Sequence, residues 1–318
     1  MENVSVQNTD LNTLLASAYE LVGEQNFDAA IGKIQSALGT YFEDQELAAF
    51  LRCSKYWQDR FETLGKYPSD YEKAGYLLSQ WKGFPVFASR GGDVPERCMR
   101  AFKGLVFRTA LVMYESLIDS SVTGFKDADL LMRIGRCYKA LGEYDKALQH
   151  LDAANQIKKE NAEIIAELAD CYALVGEAQI SKAFFREAFF INPAAVDLES
   201  IESAMICRLA DKLRDMGMEG AELSEWMPVY GVLFNVLNIK RELRPLEYGK
   251  LRQSIYTMEM EMRENAQKKA ASPLARLVNR YFWLIDHYRM TKESREKIDE
   301  VMLKIRELSP ALYEEYTK

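Results

Sequence analysis

Leu131-x2-Ile134-Gly135-x-Cys137-Tyr138, followed by Gly142-Glu143, Ala147, Leu151 and Ala154, returns 34 residues later as Ile165-x2-Leu168-Ala169-x-Cys171-Tyr172, Gly176-Glu177, Ser181, Phe185 and Ala188. Self-similarity at such a period marks a repeat protein, in which each unit buries its apolar face only against its neighbours. Leu131, Ile134, Gly135 and Tyr138 fall at i, i+3, i+4 and i+7, one apolar stripe of a helix. Gly135, Ala169, Ala147 and Ser181 are small enough to let two antiparallel helices approach, and Tyr138, Tyr172, Leu151 and Phe185 fill the space around them. Gly142 and Gly176 stand where a left-handed residue would close the hairpin, and Asn192-Pro193 stops the second unit.

These residues resemble the tetratricopeptide repeat, whose pattern is W-x2-L-G-x2-Y, then A-x3-F, then P. The match is specific over residues 128–195, with Leu131 and Ile165 in place of Trp and Lys159 in place of the first unit's Pro. Asn26-Phe27-Asp28-x-Ala30-x3-Ile34-x2-Ala37 parallels Glu143-Tyr144-Asp145-x-Ala147-x3-Leu151-x2-Ala154, which gives a degenerate unit at 11–44. Asp70-Tyr71-Glu72-Lys73-Ala74-x3-Leu78 starts the second helix of an irregular unit at 45–83, after a helix expected over about 44–63. The resemblance implies an all-α protein, an α-solenoid of hairpins over 1–195, with additional helices over 196–318 that continue it or form a second domain.

Past Pro193 the consensus dissolves while helical stripes persist. Leu198, Ile201, Met205, Leu209, Leu213 and Met216 share a face, and further helices are expected over 223–243 and 245–270. A seam is expected near Gly217–Gly220. Ser272-Pro273 and Thr291 read as helix starts, and Ser309-Pro310 mirrors Asn192-Pro193, so the last two helices read as a closing hairpin.

Composition limits the function classes. The 318 residues carry a formal charge of −7, with the balance turning basic only after residue 240, which argues against general nucleic-acid binding. There is no apolar run of membrane-spanning length, and Met1-Glu2-Asn3-Val4 lacks a secretory pattern, so no membrane insertion is expected and the expected compartment is the cytoplasm. Five cysteines, Cys53, Cys98, Cys137, Cys171 and Cys207, form no Cys-x2-Cys pair, and His150 and His287 have no ligand cluster at metal spacing. No cofactor, metal site, disulfide framework or thiol catalysis is expected. Gly91-Gly92 has no flanking Lys-Ser/Thr and is no phosphate loop. Lys240, Arg241, Arg244, Lys250 and Arg252 interleave with Glu242 and Glu247 and read as a solvated helix face, with contact to an acidic partner as the alternative.

In tetratricopeptide proteins the first helix of each hairpin lines the ligand groove, which here implies a surface of Asp129, Met132, Arg133, Arg136 and Lys139, continued by Glu163, Ala166, Glu167 and Asp170. Arg133, Arg136 and Lys139 follow one another closely enough to present donors to a carboxylate, while a bridge from Arg136 to Asp170 across adjacent hairpins is the structural alternative. The Lys/Asn set by which family members clamp a C-terminal carboxylate does not occur. A second surface is offered by Trp81, Phe84 and Phe87 in the stretch 81–92, which reads as non-helical and ends at a helix cap formed by Asp93 and Glu96. The expected function is that of a non-catalytic adaptor or scaffold that binds a protein or peptide partner. The alternatives are a small anionic ligand in the basic groove, or an enzyme whose site lies in the C-terminal helices. A homo-oligomer through an exposed helix face is compatible with each.

Overall fold

Residues 2–120, 127–264 and 271–318 are described by the computed structural model. All regular structure among them is helical, and none of these helices is long and apolar enough to cross a membrane. The chain divides into two compact units, Met1–His150 and Leu151–Lys318, and Gly217–Gly220 lies inside the second.

The first unit contains α1 (Glu2–Gly23), α2 (Phe27–Leu38), α3 (Gln45–Thr63), α4 (Asp70–Ser89), α5 (Glu96–Ser120), α6 (Ala128–Ala140) and the start of α7 (Tyr144–Ile157). Here α1 packs on α2 and α5, α2 on α3, α4 on α5, and α5 on α6. Asp44 and Ser69 cap α3 and α4 through their side chains, and Glu72 returns the bond to Ser69 to complete a capping box.

In the second unit follow α8 (Ala162–Leu174), α9 (Ala178–Ile191), α10 (Ala204–Asp215), α11 (Gly220–Leu233), α12 (Pro245–Glu264), α13 (Ala271–Met290), α14 (Arg295–Leu308) and α15 (Pro310–Thr317). Helix α8 packs on α9, and α11, α12 and α14 pack on α13. The core gathers around α13, where Leu277, Val278, Tyr281, Phe282 and Ile285 are almost wholly buried.

One hydrogen-bond pattern closes the hairpins. After α6, Gly142 N–H donates to Lys139 O and Glu143 N–H to Tyr138 O, with Gly142 at φ +81°. After α8, Gly176 and Glu177 repeat this on Ala173 and Tyr172, with Gly176 at φ +87°. Both are Schellman motifs, and the left-handed residue expected at each glycine is present. The same motif ends α1 on Gln25 (φ 63°), α10 on Gly217 (φ +87°) and α13 on Lys292 (φ 54°), so the closure recurs where the sequence consensus fails. Ile134, Leu151, Leu168, Phe185, Ala147, Ala169 and Ser181 are all fully buried, as the repeat spacing requires.

Gln25 carries a Cβ in a conformation that glycine adopts without strain, and its side chain makes only a 3.3 Å exposed bond to Thr109. Gln25→Gly is therefore expected to stabilise the first unit by about 0.5–1 kcal/mol, because the steric relief exceeds the entropy lost to a glycine. A chemical melt reads the effect, and a destabilised Gln25→Gly variant would mean that Gln25 is held there by contacts worth more than its strain.

Other boundaries depart from the sequence reading. The stripe from Leu198 does not begin a helix at Leu198: residues 198–203 are non-helical and α10 starts at Ala204. Helix α11 ends at Leu233. Thr291 lies just past α13, its hydroxyl donating to His287 O, and α14 starts after Ser294. Helix α5 begins at Glu96. The helix start expected at Ser272-Pro273 abuts residues 265–270, which are outside the described residues, as is the end of the helix expected to reach residue 270. Ser309 does mirror Asn192: both are extended (φ −154° and −160°), donate N–H to the carbonyl four residues back, and turn a side-chain oxygen to the N–H of the following turn.

Candidate functional site

The polar side of α6 is built from its first turn upward. Asp127 accepts the N–H of Asp129 and starts the helix. One turn on, Arg133 Nε donates to Asp129 Oδ2 at 2.8 Å, and the Tyr71 hydroxyl of α4 donates to the same oxygen. The Arg133 guanidinium lies 5.1 Å from the Tyr71 ring centre. Burial raises the Asp129 carboxyl, but the bonds from Arg133 and Tyr71 prevail and hold it below its ordinary value. Arg133 thus braces α6 to α4, with about a third of its side chain still open to solvent (31%).

Arg136 is half-buried, whereas Lys139 is only 3% exposed and so is no open groove lysine. On α8 the departure is larger. Asp170 is fully buried and accepts the N–H groups of Glu202 and Ser203 at 2.9 and 2.8 Å. Glu167, also buried, accepts the Ser200 hydroxyl at 2.7 Å. These carboxylates, expected on a ligand face, instead anchor the segment entering α10. The sequence pattern places them on the polar side of α8, but segment 197–203 folds over that side and brings donors that exposed acids would have taken from water.

The aromatic segment also needs correcting. Residues up to Ser89 belong to α4, with Pro85 inside the helix. Leu77, Trp81, Phe84 and Ala88 follow a helical stripe into a cluster with Tyr56, Trp57 and Phe102. Phe84 is fully buried, Trp81 stacks on Trp57 at 6.2 Å between ring centres, and Phe87 lies 4.3 Å from Tyr56. That packing outweighs the interior-proline penalty of about 3 kcal/mol. Gly91 and Gly92 instead serve the end of α4: Arg52 donates to Ala88 O and Gly91 O, its guanidinium would clash with any Cβ at Gly91, and Gly92 has φ +104°. With Phe84 in the core, this stretch offers no exposed aromatic triad.

Cys137 and Cys171 are fully buried, as expected of packing residues. Cys53 and Cys98, distant in sequence, are neighbours in the first unit, and the interaction with Cys53, with burial, raises the Cys98 thiol far above its ordinary value. Cys98 therefore stays a protonated thiol, a poor nucleophile. No group of three or more His, Cys, Asp or Glu suited to a metal occurs among the described residues. In the basic cluster after residue 239, Arg241 and Arg244 both bind Glu247, and their hydrogen bonds hold its carboxyl at about 2; Arg241 also pairs with Glu187. The solvated helix face expected here is corrected at these two arginines: both precede α12, which starts at Pro245, and both are internally paired, because Glu247 in its first turn reaches back to them.

Of the residues read from sequence as contacts, Arg133 and Arg136 on α6 and Trp81 and Phe87 on α4 keep partial exposure, and the two arginines sit one turn apart. The partners that fix Arg133, Tyr71 and Asp129, join through the tertiary fold; only the i, i+4 spacing of Asp129 and Arg133 signalled half of the arrangement. No protein-family model matches the chain, and no curated protein matches it.

Proposed function

We propose that the protein is a non-catalytic adaptor of the tetratricopeptide kind, working in the cytoplasm and binding an acidic segment of a protein partner along α6. The observation that supports the reading best is the Schellman-closed hairpin at α1–α2, α6–α7 and α8–α9, because units of this form present helix faces for recognition. Arg133 and Arg136 supply the contact: a guanidinium forks onto carboxylates, and Arg133 is already oriented by Asp129 and Tyr71. Lys139, Asp170 and Phe84 are too buried to take part.

The test uses immobilised protein and an Arg136→Glu counterpart as paired baits for native cell extract. A specific partner is expected on the first bait and at least about tenfold depleted on the second, because one charge-assisted contact becomes a repulsion. The two baits should melt alike, since partly exposed charges contribute about 0–1 kcal/mol to stability. Equal recovery on both baits would remove α6 from the interface.

A further inference from the structure

In the second unit, a cleft of about 390 Å³ opens between the end of α9 and the face of α13, walled by Phe190, Pro193 and Met258 and floored by Arg276, Asn279 and Arg280. Its two arginines differ in how they are satisfied. Arg276 is forked onto the buried Glu225 of α11, Nε to Oε2 at 2.8 Å and Nη2 to Oε1, which neutralises it. Arg280 has no ion-pair partner among the described residues. Its Nη1 donates to Phe190 O at 2.6 Å, its guanidinium lies 4.1 Å from the Phe190 ring centre, and its Nε is buried with no acceptor. Its Nη2 makes no hydrogen bond among the described residues. Burial first, and then repulsion from Arg276, lowers Arg280 to about 10.

The α9 carbonyl end offsets part of that charge but cannot supply the planar oxyanion that a guanidinium edge matches. Arg276, Glu225 and Arg280 together leave a charge of about +1 facing a cavity that is apolar on the side of Phe190, Pro193 and Met258. A single negative charge completes the balance, whereas a dianion exceeds it. The size and the walls suit a body of one small ring or a short alkyl chain. We propose that this cleft binds a monoanionic carboxylic acid with an apolar body, its carboxylate on Arg280 Nη2 and the open edge of Arg276, its body against Phe190, Pro193 and Met258. The site lies wholly within the second unit, and the assignment does not rest on partner binding at α6.

The probe is 3-phenylpropionate, titrated into the full chain and followed by ligand-observed NMR and by melting temperature. Saturable binding is expected, with its neutral amide and inorganic phosphate each at least about tenfold weaker, because one lacks the charge and the other the apolar body. Arg280→Gln should weaken the acid by about tenfold or more, and Arg280→Lys, which keeps the charge without the fork, should fall between. Absence of saturation by about 10 mM, an amide that binds as well as the acid, or phosphate that binds more tightly would overturn the assignment. So would an Arg280→Gln protein that binds the acid like the unaltered chain. If Arg280→Gln does not fold, the acid, amide and phosphate arms on the unaltered protein decide alone.

Discussion

An Asp170→Ala protein is expected to lose about 2–5 kcal/mol of stability, with the loss falling on the second unit. The carboxylate is fully buried and its two oxygens take the backbone N–H groups of Glu202 and Ser203. Truncation leaves two donors in a place that water reaches poorly, and each unsatisfied donor costs about 1–3 kcal/mol. Asp170→Asn keeps one acceptor oxygen in nearly the same volume and should lose about half as much. Urea denaturation of the three proteins reads both values. A loss below about 1 kcal/mol for Asp170→Ala would mean that segment 197–203 is held elsewhere and that Asp170 is available to other partners.

The other large effect is expected at Arg186 and Asp286, which pair through Nη2 and Oδ2 with side chains only 6% and 5% exposed. Arg186 also donates to Ile239 O and lies 4.9 Å from the Trp283 ring centre, so one side chain ties α9 to α13 and to the connection before α12. Removing one member of a buried pair strands the other charge, and Arg186→Met is expected to cost about 3–5 kcal/mol. Replacing both, Arg186→Met with Asp286→Leu, should recover a large part of that loss, because the desolvation cost disappears together with the attraction. A double variant that loses the full sum of the two single losses would show that the pair is not coupled.

The sequence disclosed most where local chemistry determines structure. Gly142 and Gly176 were legible as hairpin closures because a left-handed residue at a helix end favours glycine, and Asn192 and Ser309 were legible from the proline that follows each. Gln25 and Lys292 adopt the same conformation with no such signal, so the closures of α1 and α13 were hidden. Residues 81–89 looked non-helical because Pro85 and the nearby glycines are helix breakers; burial of Phe84 and Trp81 overrides that local preference, and only the assembled core shows it. The candidate site failed in the same way. Periodicity places Asp170 and Glu167 on the polar side of α8, but it carries no information on which distant segment covers that side. The Arg280 cleft was invisible for a related reason: Arg276 and Arg280 share one helix, yet what separates them is Glu225, which reaches Arg276 and leaves Arg280 uncompensated.

The most direct test of adaptor binding along α6 is hydrogen–deuterium exchange with and without the partner recovered by paired capture. Residues 129–139 are expected to gain protection on binding, and the Arg136→Glu protein at the same partner concentration should show none. Protection confined to residues 151–318, with 129–139 exchanging as in the free protein, would contradict the account.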